Sequence, residues 1–295
     1  MKIQGNLKKR SLIHIVLAFG ILMPMTCHAG PAWLDWLKNL FTRPHVQQPK
    51  KDTPPGKDPA KEEKKPVARL GELKVFSKHS NLAGACLSGV ELDREALAQD
   101  MVPRGSAVAT SAGALSAQGI TMILHAATGA MTRSGGLFEP TLESVALSVE
   151  NSLKLARDAR HKRVAIPFIG GSIFISRIGA SAAELADRIV EAALKERDGL
   201  ELRFVIYSPD EVGYFTEALR RRGVDSMSEE IAVVQGSITN FSAHGASAII
   251  NAANMEVQFG GGISGAIARA SASEENINQE ALDVIREVRE TLNAR

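Results

Sequence analysis

The chain has 295 residues, 44% hydrophobic and 23% charged, with a formal net charge of +2; this composition fits one core of good size, in one or at most two domains, plus an appended segment. The charge is unevenly spread: residues 1–29 carry +4 and residues 30–70 another +4 (nine basic, five acidic), which leaves −6 on the remainder. A duplex nucleic-acid binder shows a basic face on its folded domain, so this distribution argues against direct duplex nucleic-acid binding.

The first 29 residues read as an export signal. Lys8, Lys9 and Arg10 form a charged start, "SLIHIVLAFGILMPM" an apolar centre, and "CHA" before Gly30 places small residues ahead of a cleavage point. The apolar run is shorter than the roughly 18–20 residues that span a bilayer, which favours cleavage after Ala29 over a permanent anchor. Thr26 before Cys27, with Pro24 upstream, is a poor lipoprotein site. Cleavage at Ala29 removes Cys27 and leaves Cys86 as the one thiol, so an exported, periplasmic or secreted product relies on its core rather than on an internal disulfide. Cys86 itself reads as a buried structural thiol.

In residues 31–41, Trp33, Leu34, Trp36, Leu37, Leu40 and Phe41 make one apolar helical face. It suits peripheral contact with a membrane surface or docking on the folded domain equally well. From Arg43 to Val67 the chain turns to Pro and Lys without apolar periodicity, as expected of a solvated linker. The expected division is therefore leader 1–29, amphipathic stretch and linker 30–69, and folded domain 70–295.

Past a helical stretch "VELDREALAQDM" come the strand-like runs "SAVATSAG", "TMILHAAT", "RVAIPFIGG" and "LELRFVIYS". Helices separate them. Leu142, Val145, Val149, Leu153 and Ala156 form one stripe; Ser181 with Glu184 makes a capping box ahead of Leu185, Ile189 and Ala192; Ser208, Pro209 and Glu211 open a third helix that Gly223 stops. Two more strands, "EIAVVQGSI" and "ASAIINAAN", lead to a glycine loop and closing helices, the last with Leu282, Ile285, Val288 and Leu292 on one face. Continuous apolar strands alternating with helices predict an α/β fold, its sheet largely parallel and covered on both faces.

The glycine loop carries the chemistry. Gly260, Gly262 and Gly265 satisfy G-x-G-x-x-G, yet a dinucleotide-binding turn runs straight from strand to helix and is followed by another strand with an acidic residue about 20 positions on. Here residues 254–259 intervene, and no chain remains for a further strand. No G-K-[ST] follows for a Walker loop. What the loop can do is let backbone approach a diphosphate, aim helix N–H groups at it, and offer asparagine amides to ribose hydroxyls.

"INAAN", then "GGGISGAIARA", with "VVQGSIT" upstream, closely resembles the ADP-ribose-binding signature of macro domains. In that family these elements come first, followed by pieces that "ELDREALAQDMVPRGSAVATSAG", "TMILHAATG", "LESVALSVENSLKLARDARHKRVAIPFIGGSIF" and "LELRFVIYSPDEVGYF" resemble in the same cyclic order. The resemblance, over roughly Val90 to Ala272, implies a circularly permuted macro-type fold: three α/β/α layers around a mixed, largely parallel six-stranded sheet, the family's ends joined through "RRRGVDSMSEE". Residues 70–89 and 279–292 lie outside the resemblance and are expected to cover the new ends. It also implies the site. Asn251 and Asn254 match the two asparagines, with Asn254 on the distal ribose and placed to orient a scissile bond. Gly260, Gly261, Gly262, Ile263 and Ser264 match the first ligand loop. Gly170, Gly171, Ser172, Ile173 and Phe174 match the second, with Phe174 beside the ribose. Ser237 and Ile238 match the base-binding turn, but Ser237 replaces the family's aspartate. Ser264 and Ala268 stand where one hydrolase branch has an aspartate and a histidine, and Arg269 lies near the place of another branch's lysine. His125 falls mid-strand and reads as a buried, satisfied side chain. The implied ligand is ADP-ribose or an ADP-ribosylated macromolecule, with hydrolysis of mono-ADP-ribosyl linkages as the activity and no cofactor or metal. The alternative is an interaction module on the same fold with an altered pocket.

Overall fold

The computed structural model describes residues 69–78, 80–131, 137–171 and 175–294. The leader, the 31–41 stretch and most of the linker lie outside them, as do Ser172, Ile173 and Phe174.

A nine-stranded mixed sheet organises the described residues. Its strands are β1 (Lys74–Phe76), β2 (Gly84–Cys86), β3 (Ala107–Ser111), β4 (Met122–Met131), β5 (Leu137–Phe138), β6 (Arg163–Ile166), β7 (Glu201–Ile206), β8 (Ile231–Gln235) and β9 (Ala248–Asn254). Eight form a continuous path, β1-β2-β3-β4-β9-β6-β7-β8, and β5 pairs with β4 alone. From β4 to β8 every neighbour is parallel; the β1 to β4 end is antiparallel. The expected six strands are thus corrected to eight on the main path. Residues 70–89 do not merely cover an end; they contribute the β1–β2 hairpin. Each of these strands is three residues long, below the run length at which alternation in a sequence can be read.

The main helices are α1 (Arg94–Ala98), α2 (Leu142–Asp158), α3 (Ile175–Ile178), α4 (Ala182–Lys195), α5 (Pro209–Arg221), α6 (Phe241–His244), α7 (Gly262–Ser271) and α8 (Glu274–Asn293), with a 3₁₀ turn at Gly113–Gln118. The stripe Val145, Val149, Leu153, Ala156 of α2 is buried, as are Leu185 and Ile189 of α4 and Phe215 and Leu219 of α5. Together with Leu124, Ile166, Leu202, Phe204 and Ile250 of the strands they form the core on one face. Ile267, Ile277 and Leu115 pack on Ile123, Ile249 and Val205 on the other face, and the apolar side of α8 covers Val75, Ala85 and Val108 beside them. Burial of apolar area on two faces of one sheet is the main stabilising contribution, at roughly 25 cal/mol per Å².

Local chemistry sets the helix ends. Ser181 and Glu184 close the expected capping box on α4, with Glu184 N–H donating to Ser181 Oγ at 3.2 Å and Ser181 N–H to Glu184 Oε2 at 2.8 Å. On α2, Thr141 and Ser144 make an equivalent reciprocal pair. Cys86 is free and fully buried, its thiol donating to Asn151 Oδ1 at 3.2 Å, as a structural role requires.

Candidate functional site

Strand β9 lies between β4 and β6, parallel to both. The chain leaving β4 and β6 forms helices α2 and α4 on one face, whereas the chain leaving β9 forms α7 on the other. Adjacent parallel strands whose helices diverge open a crevice outside their carboxyl ends, where open α/β sheets take their ligands. Asn254 and the glycine loop sit at that end of β9, and Asn251 lies at the middle of the strand.

The loop reaches α7 through residues 255–261. Gly260, Gly261 and Gly262 are exposed, and a Cβ built on any of them meets nothing within 4 Å. Gly261 is the N-cap of α7, and no side chain caps it. The first N–H groups of a ten-residue helix therefore have no side-chain cap, an arrangement suited to an anion. Gly262, at φ 59°, makes the left-handed turn into the helix. Gly265 is needed for another reason: its Cβ would stand 2.6 Å from Gly260 O.

Asn254 is half-buried at the strand end, and its Oδ1 accepts the N–H of Gln258 at 3.3 Å. Asn251 is fully buried. Its Nδ2 donates to His125 Nδ1 at 3.1 Å and to Ser264 Oγ at 3.3 Å, while Ser264 Oγ also accepts the Gly260 N–H at 3.2 Å. Burial drives the His125 pKa down to about 3, so the ring is neutral. Ile263 is half-buried against the core beneath the loop. The structure thus places Asn251, Asn254, Gly260, Gly261, Gly262, Ile263 and Ser264 on strand β9, the loop after it and the start of α7.

At the end of β6, Gly170 (φ 76°) and Gly171 form the described start of the second loop, packed against Ile178 and Phe168. The expectations for Ser172, Ile173 and Phe174 lie outside the described residues. At the end of β8, Ile238 is buried. Ser237 Oγ pairs with Thr239 Oγ1 at 3.0 Å and accepts the Thr239 N–H at 3.4 Å, so much of its hydrogen-bonding capacity is used within its own turn.

Sequence reasoning missed three contributors. Asn278 of α8 holds the loop from below: its Oδ1 accepts the Phe259 N–H at 3.2 Å and its backbone oxygen accepts from Gln258 Nε2 at 3.4 Å. Phe259 lies against His125, ring centroids 5.5 Å apart. Tyr207, 81% exposed, stands at the end of β7 between the turns that follow β6 and β8. An unburied aromatic at a strand end was the one available signal for it. A depression of about 670 Å³ also lies between α7 and α8, lined by Arg269, Ser273, Glu274, Glu275 and Asn278. Its two glutamates disfavour an anionic ligand there.

No protein-family model and no curated protein matches the chain. Among solved structures it is similar over part of its length to the Oryza sativa APL macrodomain in complex with ADP-ribose: 24% identity, 37% of this chain and 55% of that one covered, TM-score 0.32. The match thus spans just over half the length of that macrodomain.

Proposed function

We propose that the crevice at the carboxyl ends of β9 and β6 binds ADP-ribose or a related nucleotide diphosphate. The observation that carries this reading is the exposed Gly260–Gly262 turn feeding the uncapped N-terminus of α7 beside Asn254. Exposed backbone N–H groups and the helix dipole suit a diphosphate, and the asparagine amide suits a ribose hydroxyl. Tyr207 offers a face on which a base can stack.

The circular permutation belongs to the same proposal. β7 and β8 are adjacent and parallel, so the segment after α5 that joins them bridges neighbouring strands, which is the condition under which a rejoined chain costs little. Export as a periplasmic or secreted protein, with residues 31–41 as a peripheral membrane contact, rests on the leader and the tryptophan-rich stretch.

Hydrolysis of mono-ADP-ribosyl linkages is the activity that accompanies the binding reading. With Ser264 and Ala268 both in α7, the chain's contribution would be orientation by Asn254 and electrostatic stabilisation by the loop amides, which supply much of a barrier reduction without a dedicated base.

Calorimetric titration of the purified protein with ADP-ribose tests the proposal, with ADP and other nucleotide-diphosphate sugars as comparators and Gly262→Glu as control. Saturable binding that the control abolishes is expected. A folded wild-type protein that binds none of them would overturn the proposal and leave an interaction module on this fold.

A further inference from the structure

Beneath the glycine loop runs a line of buried polar groups that begins on a different strand. Thr110 of β3, His125 of β4, Asn251 of β9 and Ser264 of α7 are each buried, the first three essentially completely. Thr110 Oγ1 lies 2.9 Å from His125 Nε2, His125 Nδ1 lies 3.1 Å from Asn251 Nδ2, and Asn251 Nδ2 lies 3.3 Å from Ser264 Oγ. His125 and Asn251 are register partners in the parallel β4–β9 ladder, so their facing is built into the sheet.

The carboxamide of Asn251, turned with its nitrogen toward His125 and Ser264 and its Oδ1 buried without a hydrogen-bond partner among the described residues, sets the protons along this line. A carboxamide nitrogen only donates, so His125 Nδ1 must be the bare, accepting nitrogen. The neutral ring then carries its proton on Nε2 and gives it to Thr110 Oγ1, whose own hydroxyl donates to Ser111 O at 3.1 Å. At the other end Ser264 Oγ takes one proton from Asn251 and one from the Gly260 N–H, filling both lone pairs. Buried hydrogen bonds in series fix their partners' orientation more tightly than packing alone. Phe259, on the same loop, rests against the imidazole.

We propose that His125 is a positioning residue of the ligand loop: acting through Asn251 and Ser264, it holds Gly260 and the first turn of α7 in the arrangement that receives the diphosphate. The ligand named here rests on the function proposed above; the hold on Gly260 does not.

The test pairs two variants of the full chain, His125→Asn, which keeps an acceptor near the Nδ1 position, and His125→Leu, which keeps apolar bulk and removes it. Hydrogen exchange of the Gly260 amide in ligand-free protein and ADP-ribose affinity are the readouts. His125→Leu is expected to speed Gly260 exchange at least tenfold, with β6 and β7 amides unchanged, and to weaken ADP-ribose at least tenfold. His125→Asn is expected to stay within about threefold of wild type on both. Equal behaviour of the two variants at Gly260 would overturn the proposal. Should His125→Leu fail to fold, ¹⁵N shifts of the wild-type ring decide: the Nε2–H tautomer supports the proposal and the Nδ1–H tautomer sinks it. A wild type that does not bind ADP-ribose removes the ligand assignment, while Gly260 exchange still tests His125.

Discussion

Asn254 Oδ1 accepts the backbone N–H of Gln258 at 3.3 Å, so the oxygen of this carboxamide is already engaged within the loop. What Asn254 has left to offer a ligand is its amide, a donor suited to a ribose oxygen or to a phosphate. Two substitutions separate these halves. Asn254→Asp keeps the acceptor but replaces the donor with a negative charge, and Asn254→Ala removes both. Loss of the Gln258 bond costs about 0.5–1.5 kcal/mol in the alanine variant. ADP-ribose affinity is expected to fall at least tenfold in Asn254→Ala and further in Asn254→Asp, although the aspartate variant is the more stable. Calorimetry alongside urea denaturation checks the inverted order.

Gly261 occupies an N-cap position where its φ of −84° suits any residue and where a side chain meets nothing. For the helix alone it is a poor choice, since Asp at an N-cap accepts an N–H bond and interacts favourably with the helix dipole. Gly261→Asp is therefore expected to raise stability by about 0.3–1 kcal/mol. The same carboxylate would occupy the N–H groups a diphosphate needs and repel it, so ADP-ribose affinity should drop by a hundredfold or more. A variant that is both more stable and fully binding would place the anion site elsewhere.

The elements that build the crevice were legible in the sequence because each has an apolar period or a capping signal. The α2 stripe, the Ser181–Glu184 box and the unbroken "ASAIINAA" of a central strand all depend on local spacing, and all are found where that spacing put them. What was not legible depends on partners distant in sequence. Asn278 reads as one polar position on an amphipathic helix, and its role under the glycine loop exists only once α8 folds back on α7. The link from His125 to Asn251 spans 126 positions, so no window of sequence contains it. The β1–β2 hairpin is too short to alternate, and Tyr207 is visible only as an aromatic left outside the core.

Two S-x-x-E motifs with the same sequence signature behave differently. Ser181–Glu184 closes its box on α4, whereas Ser208 caps α5 with no side-chain hydrogen bond and Pro209 opens that helix. Proline at the first helical position supplies the starting φ and has no N–H to satisfy, so part of the work of a capping box is already done. Ser181→Ala is expected to destabilise the protein by about 1 kcal/mol. Ser208→Ala should fall within about 0.5 kcal/mol of wild type, as a substitution away from any cap bond does. Urea midpoints compare the two directly; equal losses would mean that the Ser208 hydroxyl does cap α5 in solution.

Acid stability should report the buried histidines in a window of its own. In the folded protein burial pushes His125 down to about 3, and burial also lowers His161 and His244. An unfolded histidine titrates near 6.5, so between about pH 6.5 and 3 the unfolded chain binds a proton that folded His125 refuses. Its contribution is complete above pH 6.5 and is lost progressively as pH falls through that window, with a limiting slope of about 1.4 kcal/mol per pH unit for one proton. Among the carboxylates Glu211 opposes this slope, because burial and the neighbouring Asp210 raise it above its ordinary value. Arg222 beside Asp187 and Lys162 with Arg163 beside Glu201 hold those groups below their ordinary values, so their stabilisation is lost only as pH falls below the usual carboxylate range. His125→Asn should therefore flatten the dependence of unfolding free energy on pH between about pH 6 and 5 by up to about 1.4 kcal/mol per unit, leaving the share of His161 and His244. Parallel curves for wild type and variant would show that His125 takes up its proton while folded, which a bare Nδ1 facing the Asn251 amide does not allow.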